Sequence, residues 1–142
     1  MTPNTQTDAT GRSNDAQRPP ALRVLLAAPE EAQAGPMASV LQGSADIELA
    51  GWTDSESRAM QLFFLLDPDV TVLDWRVSVS EPARLVGLLK RVAPYARIVC
   101  VVPAPDSMPA RAARALGADE VVTCEALPEL LHAWAAARGH TP

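Results

Sequence analysis

The chain has 142 residues, close to half of them apolar, few aromatics and a net charge of -5. That length suits one domain with a real core, and the charge offers no bulk attraction to nucleic acid or to an anionic membrane. No apolar run approaches the roughly 18 residues of a spanning helix, and the N-terminus lacks a signal peptide's basic-then-apolar pattern, so a cytoplasmic protein is expected.

In chain order, residues 1–20 carry no large apolar side chain after Met1. Thr, Asn, Asp, Gln and Pro dominate, a composition that cannot offset ordering entropy, so a disordered tail is expected there. The folded part, 21–139, begins with the near-continuous apolar run LRVLLA (22–27), which reads as a strand buried on both faces. PMASVLQ (36–42) places Met37, Val40 and Leu41 at helical spacing, and Gly35–Pro36 either starts or kinks that helix. IELAGW (47–52) alternates as a strand. SESRAMQLFFLL (55–66) reads as a helix capped by Ser55, and DVTVLDW as the third strand. SEPARLVGLLKRV (80–92) is a helix with Ser80 as N-cap and Pro82 in its first turn. ARIVCVV (96–102) is a strand. SMPARAARALG (107–117) is a helix with Ser107 as N-cap and Gly117 at its end; 119–124 is a short strand, and 127–139 the closing helix.

Five strand–helix pairs with Val-rich strands predict an α/β fold. The expected sheet is five-stranded, parallel and doubly wound, in the order 2-1-3-4-5, with the first and last helices on one face and the other three opposite. In such sheets the working site lies at the carboxyl ends of the strands. Asp74 ends the third strand there, and a buried carboxylate is costly unless it is paired or used. No phosphate-cradling glycine loop and no His-rich metal motif is present. Both histidines, His132 and His140, fall in the C-terminal stretch, away from any Ser–His–Asp site at that edge. Cys100 and Cys124 are the only cysteines, too few for a disulfide framework or a zinc site, and are expected as unpaired thiols.

LRVLLA, ADIELAGWTDSESRAMQL, DPDVTVLDWR, APYARIVCVV and ALGADEVV, in this order and spacing, resemble the receiver (CheY-like, flavodoxin-like) domain of bacterial two-component response regulators. The pattern is that of the branch that precedes a helix-turn-helix output. The resemblance covers about residues 21–139. It implies that Asp74 stands at the phosphoacceptor position. The family's Mg²⁺-binding acidic pair falls on Ala28 and Pro29, its phosphoryl-contacting hydroxyl on Val102, its lysine on Cys124, and its aromatic switch residue on Val121. Lys90, the only lysine, belongs to the 80–92 helix, away from the site. Mg²⁺ wants hard oxygen ligands and phosphoryl transfer wants cations over the developing charge; neither can be assumed from these residues. Glu30, just past the acidic pair, is the candidate residual acidic ligand if the first loop is shifted.

The expectation is therefore a stand-alone pseudo-receiver in phosphorelay signalling, not an enzyme. It would use no cofactor and no Mg²⁺, and act by binding a protein, either a histidine kinase or another regulator, without touching nucleic acid or membrane. Two alternatives stay open. One is an active receiver phosphorylated on Asp74; the other is a small-ligand sensor using the emptied crevice between Ala28, Asp74, Val102 and Cys124. Trp75 either covers that crevice or is a packed aromatic. PAPDSMP (103–109) is either a frozen switch loop or a solvated one. The Ala133, Ala136 and Ala137 positions of the last helix are small enough to admit a homodimer.

Overall fold

A computed structural model describes residues 21–30, 37, 45–77 and 83–139. The expected tail (1–20), the C-terminal end (140–142), the Ser80 cap and all of the expected 36–42 helix except Met37 lie outside the described residues. The elements are β1 (Leu22–Ala27), β2 (Ile47–Thr53), α1 (Glu56–Leu66), β3 (Val70–Asp74), a 3-10 turn (Trp75–Val77), α2 (Arg84–Val92), β4 (Ile98–Val101), α3 (Met108–Ala115), β5 (Glu120–Val122) and α4 (Leu127–Gly139). The five strands form one parallel sheet in the order β2-β1-β3-β4-β5. This is the expected flavodoxin-like topology.

Alternation along the central strands builds the two layers. Val24, Leu26, Val70, Val72, Val99 and Val101 face one cluster, closed by Met37 and by Leu127 and Leu131 of α4. Leu25, Leu73, Ile98 and Cys100 face the other, closed by Leu62 and Phe63 of α1, Leu85 and Leu89 of α2, and Ala110 and Ala113 of α3. Every residue of β3 and β4 is buried, as strands covered on both faces must be. The helices are placed by their caps. Ser55 accepts from Arg58 N–H at α1, and Ser107 accepts from Ala110 N–H at α3, as expected of both serines. Past α3, Gly117 takes φ +103°, a conformation that closes the helix without a Cβ penalty. Gly51 answers a different need: a Cβ there would lie 2.6 Å from Leu66 Cδ1, so its absence lets the end of α1 settle on β2.

Two boundaries differ from the sequence expectation. α2 begins at Arg84, with Ala83 at the N-cap in the left-handed region (φ 58°) and no side-chain cap. β5 is only Glu120–Val122. Asp119 precedes it because its carboxylate accepts from Ile98 N–H (2.7 Å), and Thr123 and Cys124 have already turned toward α4.

Candidate functional site at the carboxyl edge of the sheet

β3 ends at Asp74, between Ala27 of β1 and Val101 of β4, and delivers its carboxylate to the central cleft of the carboxyl edge. The side chain is 2% exposed. It is therefore not held by solvent. It is held by Arg76. Asp74 Oδ1 accepts from Arg76 N–H and from Arg76 Nε, each at 2.9 Å, and Oδ2 accepts from Arg76 Nη2 at 2.9 Å. The 3-10 turn makes this closure local. It swings residue 76 back over residue 74, an Asx-type turn completed by a fork-to-fork guanidinium pair. Arg76 itself remains 43% exposed, so one member of the pair is dry and the other wet.

Sequence reading missed Arg76. The signal was present in DWR: an aspartate at a strand end followed two residues later by arginine. It carried weight only once a tight turn after β3 was known.

The positions singled out by the resemblance divide into two groups. Val102 and Cys124 join Asp74 around a crevice of about 230 Å³, together with Trp75, Arg76, Met37 and Glu125. Val102 is buried, and its N–H donates to Val122 O, so it continues β4 beyond its last laddered residue. Ala28 and Pro29 are not among the lining residues. Ala28 is fully buried in the α4-side cluster, with its N–H on Thr53 O at 2.9 Å. Glu30 is exposed and lies outside the crevice lining. Among the described residues, no group of three His, Cys, Asp or Glu side chains could hold a metal ion. Lys90 is engaged at the opposite edge, bound to Ala96 O and to Asp119 Oδ2 (2.9 Å). Val121 is half-buried beside the α1–α3 cluster.

The thiols report the same electrostatics. Cys100, buried on β4, has its pKa pushed up to about 12, first by burial and then by the negative charge of Asp74. Cys124 is raised by burial, then by Glu125 and Asp74, while Arg76 pulls it down. A nearby arginine therefore exists, but it does not activate the thiol. Both cysteines are free.

Such a site can hold a charge in place. A nucleophilic carboxylate needs an open oxygen and cations over the incoming phosphoryl group. Here both oxygens of Asp74 are engaged by one guanidinium.

No family model matches the chain, and no curated protein matches it. Solved structures do. The chain is similar to a signal receiver domain from Mycobacterium tuberculosis named for the response regulator NarL, at 18% identity and TM-score 0.71, over 87% of this chain and 100% of that one. It is similar to the response regulator domain of Thermotoga maritima CheB, at 19% identity and TM-score 0.68, over 86% and 99%. It is also similar to a LuxR-family two-component response regulator from Aurantimonas, at 18% identity and TM-score 0.70, over 84% and 88%. At these identities the shared property is the fold, and that fold is the receiver fold.

Proposed function

We propose that this chain is a receiver-like module of two-component signalling that works by binding another protein, with Asp74 serving as a fixed structural anion. A histidine kinase or a second regulator is the class of partner that the fold suggests. The observation that carries the reading is the bidentate Arg76–Asp74 pair. Phosphorylating Asp74 would require Arg76 to release at least one of its two charge-assisted hydrogen bonds, and Val102 and Cys124 add no further cation at the positions where the resemblance would put a hydroxyl and a lysine. No Mg²⁺ and no other cofactor takes part in this reading, and nucleic acid and membrane are not its targets. Among the described residues no helix is long and apolar enough to cross a membrane.

The test is incubation of the full chain with acetyl phosphate, and separately with beryllofluoride, in Mg²⁺, followed by intact mass and amide shifts. The expected result is an unchanged mass and an unchanged spectrum. A covalent phosphate adduct, or shifts running from residue 74 toward α3 that vanish in Asp74→Asn, would establish the active switch instead.

A further inference from the structure

Three properties of the crevice at the end of β3 identify what it would hold. The first is size. About 230 Å³ is smaller than the roughly 300–1,000 Å³ of ordinary small-molecule sites, but ample for one large side chain. The second is its wall. Met37, Trp75, Val102 and Pro103 supply apolar surface, and the one carboxylate at its base is already neutralised by Arg76. An apolar group can enter without stranding a charge. The third is the sign of the rim. In a parallel sheet every loop that follows a strand leaves at the same edge. Those loops present Glu30 after β1, Asp54 after β2, Asp106 after β4 and Glu125 after β5, all exposed and none in an ion pair among the described residues. The arginines in the first turns of the following helices offset this only in part: one is neutralised by an ion pair, and the other two, held on neutral oxygens, keep their charge and leave four acids against two arginines. Arg84 pairs with Glu56, Arg58 bonds Gln61, and Arg111 reaches the Asp106 carbonyl.

We infer that the carboxyl edge is a docking socket for a basic protein segment that inserts one large apolar side chain into this crevice. The inference rests on the protein-binding reading above and names the partner's chemistry. The anchor supplies affinity by filling a desolvated pocket, and the basic flanks supply attraction and orientation to the acidic rim. The neutralised Asp74 thereby gains a use: it keeps the floor of the socket uncharged as a whole.

The test uses the full, isotope-labelled chain, first shown by intact mass to carry no phosphate, so that failure of this inference is distinguishable from failure of the pseudo-receiver reading. The probes are three capped peptides: Lys-Lys-Leu-Lys-Lys, its Leu→Ala form, and Glu-Glu-Leu-Glu-Glu. Butylammonium is a fourth probe. The expected result is saturable amide shifts at residues 74–76, 101–103 and 124–125 with the basic Leu peptide. Affinity should fall about tenfold or more for the Ala form, weaken with added salt, and vanish for the acidic peptide. Cys124→Phe, which fills the crevice from a half-buried position, should abolish binding. Glu125→Lys should weaken it, while Glu48→Lys, the same charge change at the far end of β2, should not. Four results would each overturn the inference: equal binding of the Leu and Ala peptides, binding that survives Cys124→Phe, butylammonium matching the peptide, or shifts confined to another face. Concentration-dependent self-association through the same residues, with no response to the basic peptide, would assign the socket to a second copy and also overturn it.

Discussion

The two edges of the sheet use the same side chain in opposite ways. At the amino edge, Asp69 accepts from Arg23 N–H (2.8 Å) and Asp119 from Ile98 N–H (2.7 Å), so each carboxylate ties its own chain segment to an N–H at the start of a neighbouring strand. Arg23 in turn donates to Leu66 O and Asp67 O at the end of α1, and Lys90 bridges Asp119 and Ala96 O. At the carboxyl edge, Asp74 is satisfied by a residue two positions away. The amino edge is therefore a set of long-range ties that hold strands and helices together. At the carboxyl edge the bonds that Asp74 accepts from Arg76 run two positions along the chain, a local closure and not a long-range tie. The carboxylates at the first edge build the fold. The one at the second is held in place by Arg76.

The largest expected effect breaks that pair. Arg76→Ala should cost about 3 kcal/mol at neutral pH, because it strands a carboxylate that is almost fully buried. Urea unfolding measures it; a cost below that of Asp119→Ala would reverse the contrast between the edges. Asp119→Ala should cost about 2 kcal/mol, since it orphans the Ile98 N–H, discounted because Asp119 is itself partly exposed. Its signature should be long-range: faster amide exchange at Ile98 and at the start of β4, with the amides around Asp74 unaffected.

A third expectation uses alkaline pH to read the burial of a thiol on β4, with a smaller contribution from Asp74. The Cys100 thiol titrates near 9 when unfolded and near 12 when folded. The folded chain then keeps a proton that the unfolded chain has already lost. Stability is thus unaffected below pH 9 and falls above it, by about 1.4 kcal/mol per pH unit attributable to this group. The difference between the wild type and Cys100→Ala, followed by urea unfolding from pH 8 to 11, isolates it. Parallel curves would show that folding does not raise the thiol's pKa.

The smallest effect belongs to a group that answers to neither edge. Thr71 Oγ1, inside β3, is buried with no hydrogen-bond partner among the described residues. Thr71→Val should therefore be neutral or stabilising by up to about 1 kcal/mol, read as a rise in Tm; a clear loss would reveal a partner for the hydroxyl.

The contrast also explains what could be read in the sequence. Strand order, the two helical layers and the Ser55 and Ser107 caps follow from periodicity and short-range chemistry, which a linear string displays directly. The position of Asp74 at a strand end was equally legible. Its environment was not. Arg76 counted only as the residue after Trp75 until the 3-10 turn folded it back. The same holds for Asp119, which reads as the first residue of a strand and instead caps β4, twenty-one residues earlier in the chain. Ala28 and Pro29 could be assigned to the emptied acidic positions, but not to a place outside the crevice, because that depends on how far β1 runs before it turns.

The most direct measurement of the central claim is a double-mutant cycle on the pair itself, with Arg76→Ala, Asp74→Asn and their combination compared by urea unfolding at neutral pH. Asp74→Asn alone should be mild, because Arg76 is half-exposed and water can take over its guanidinium. The double variant should recover much of the loss seen in Arg76→Ala, giving a coupling energy of about 2 kcal/mol between the two side chains. A coupling near zero, with Arg76→Ala harmless, would mean that Asp74 stands free at the end of β3, and would contradict the account of it as a carboxylate held by Arg76.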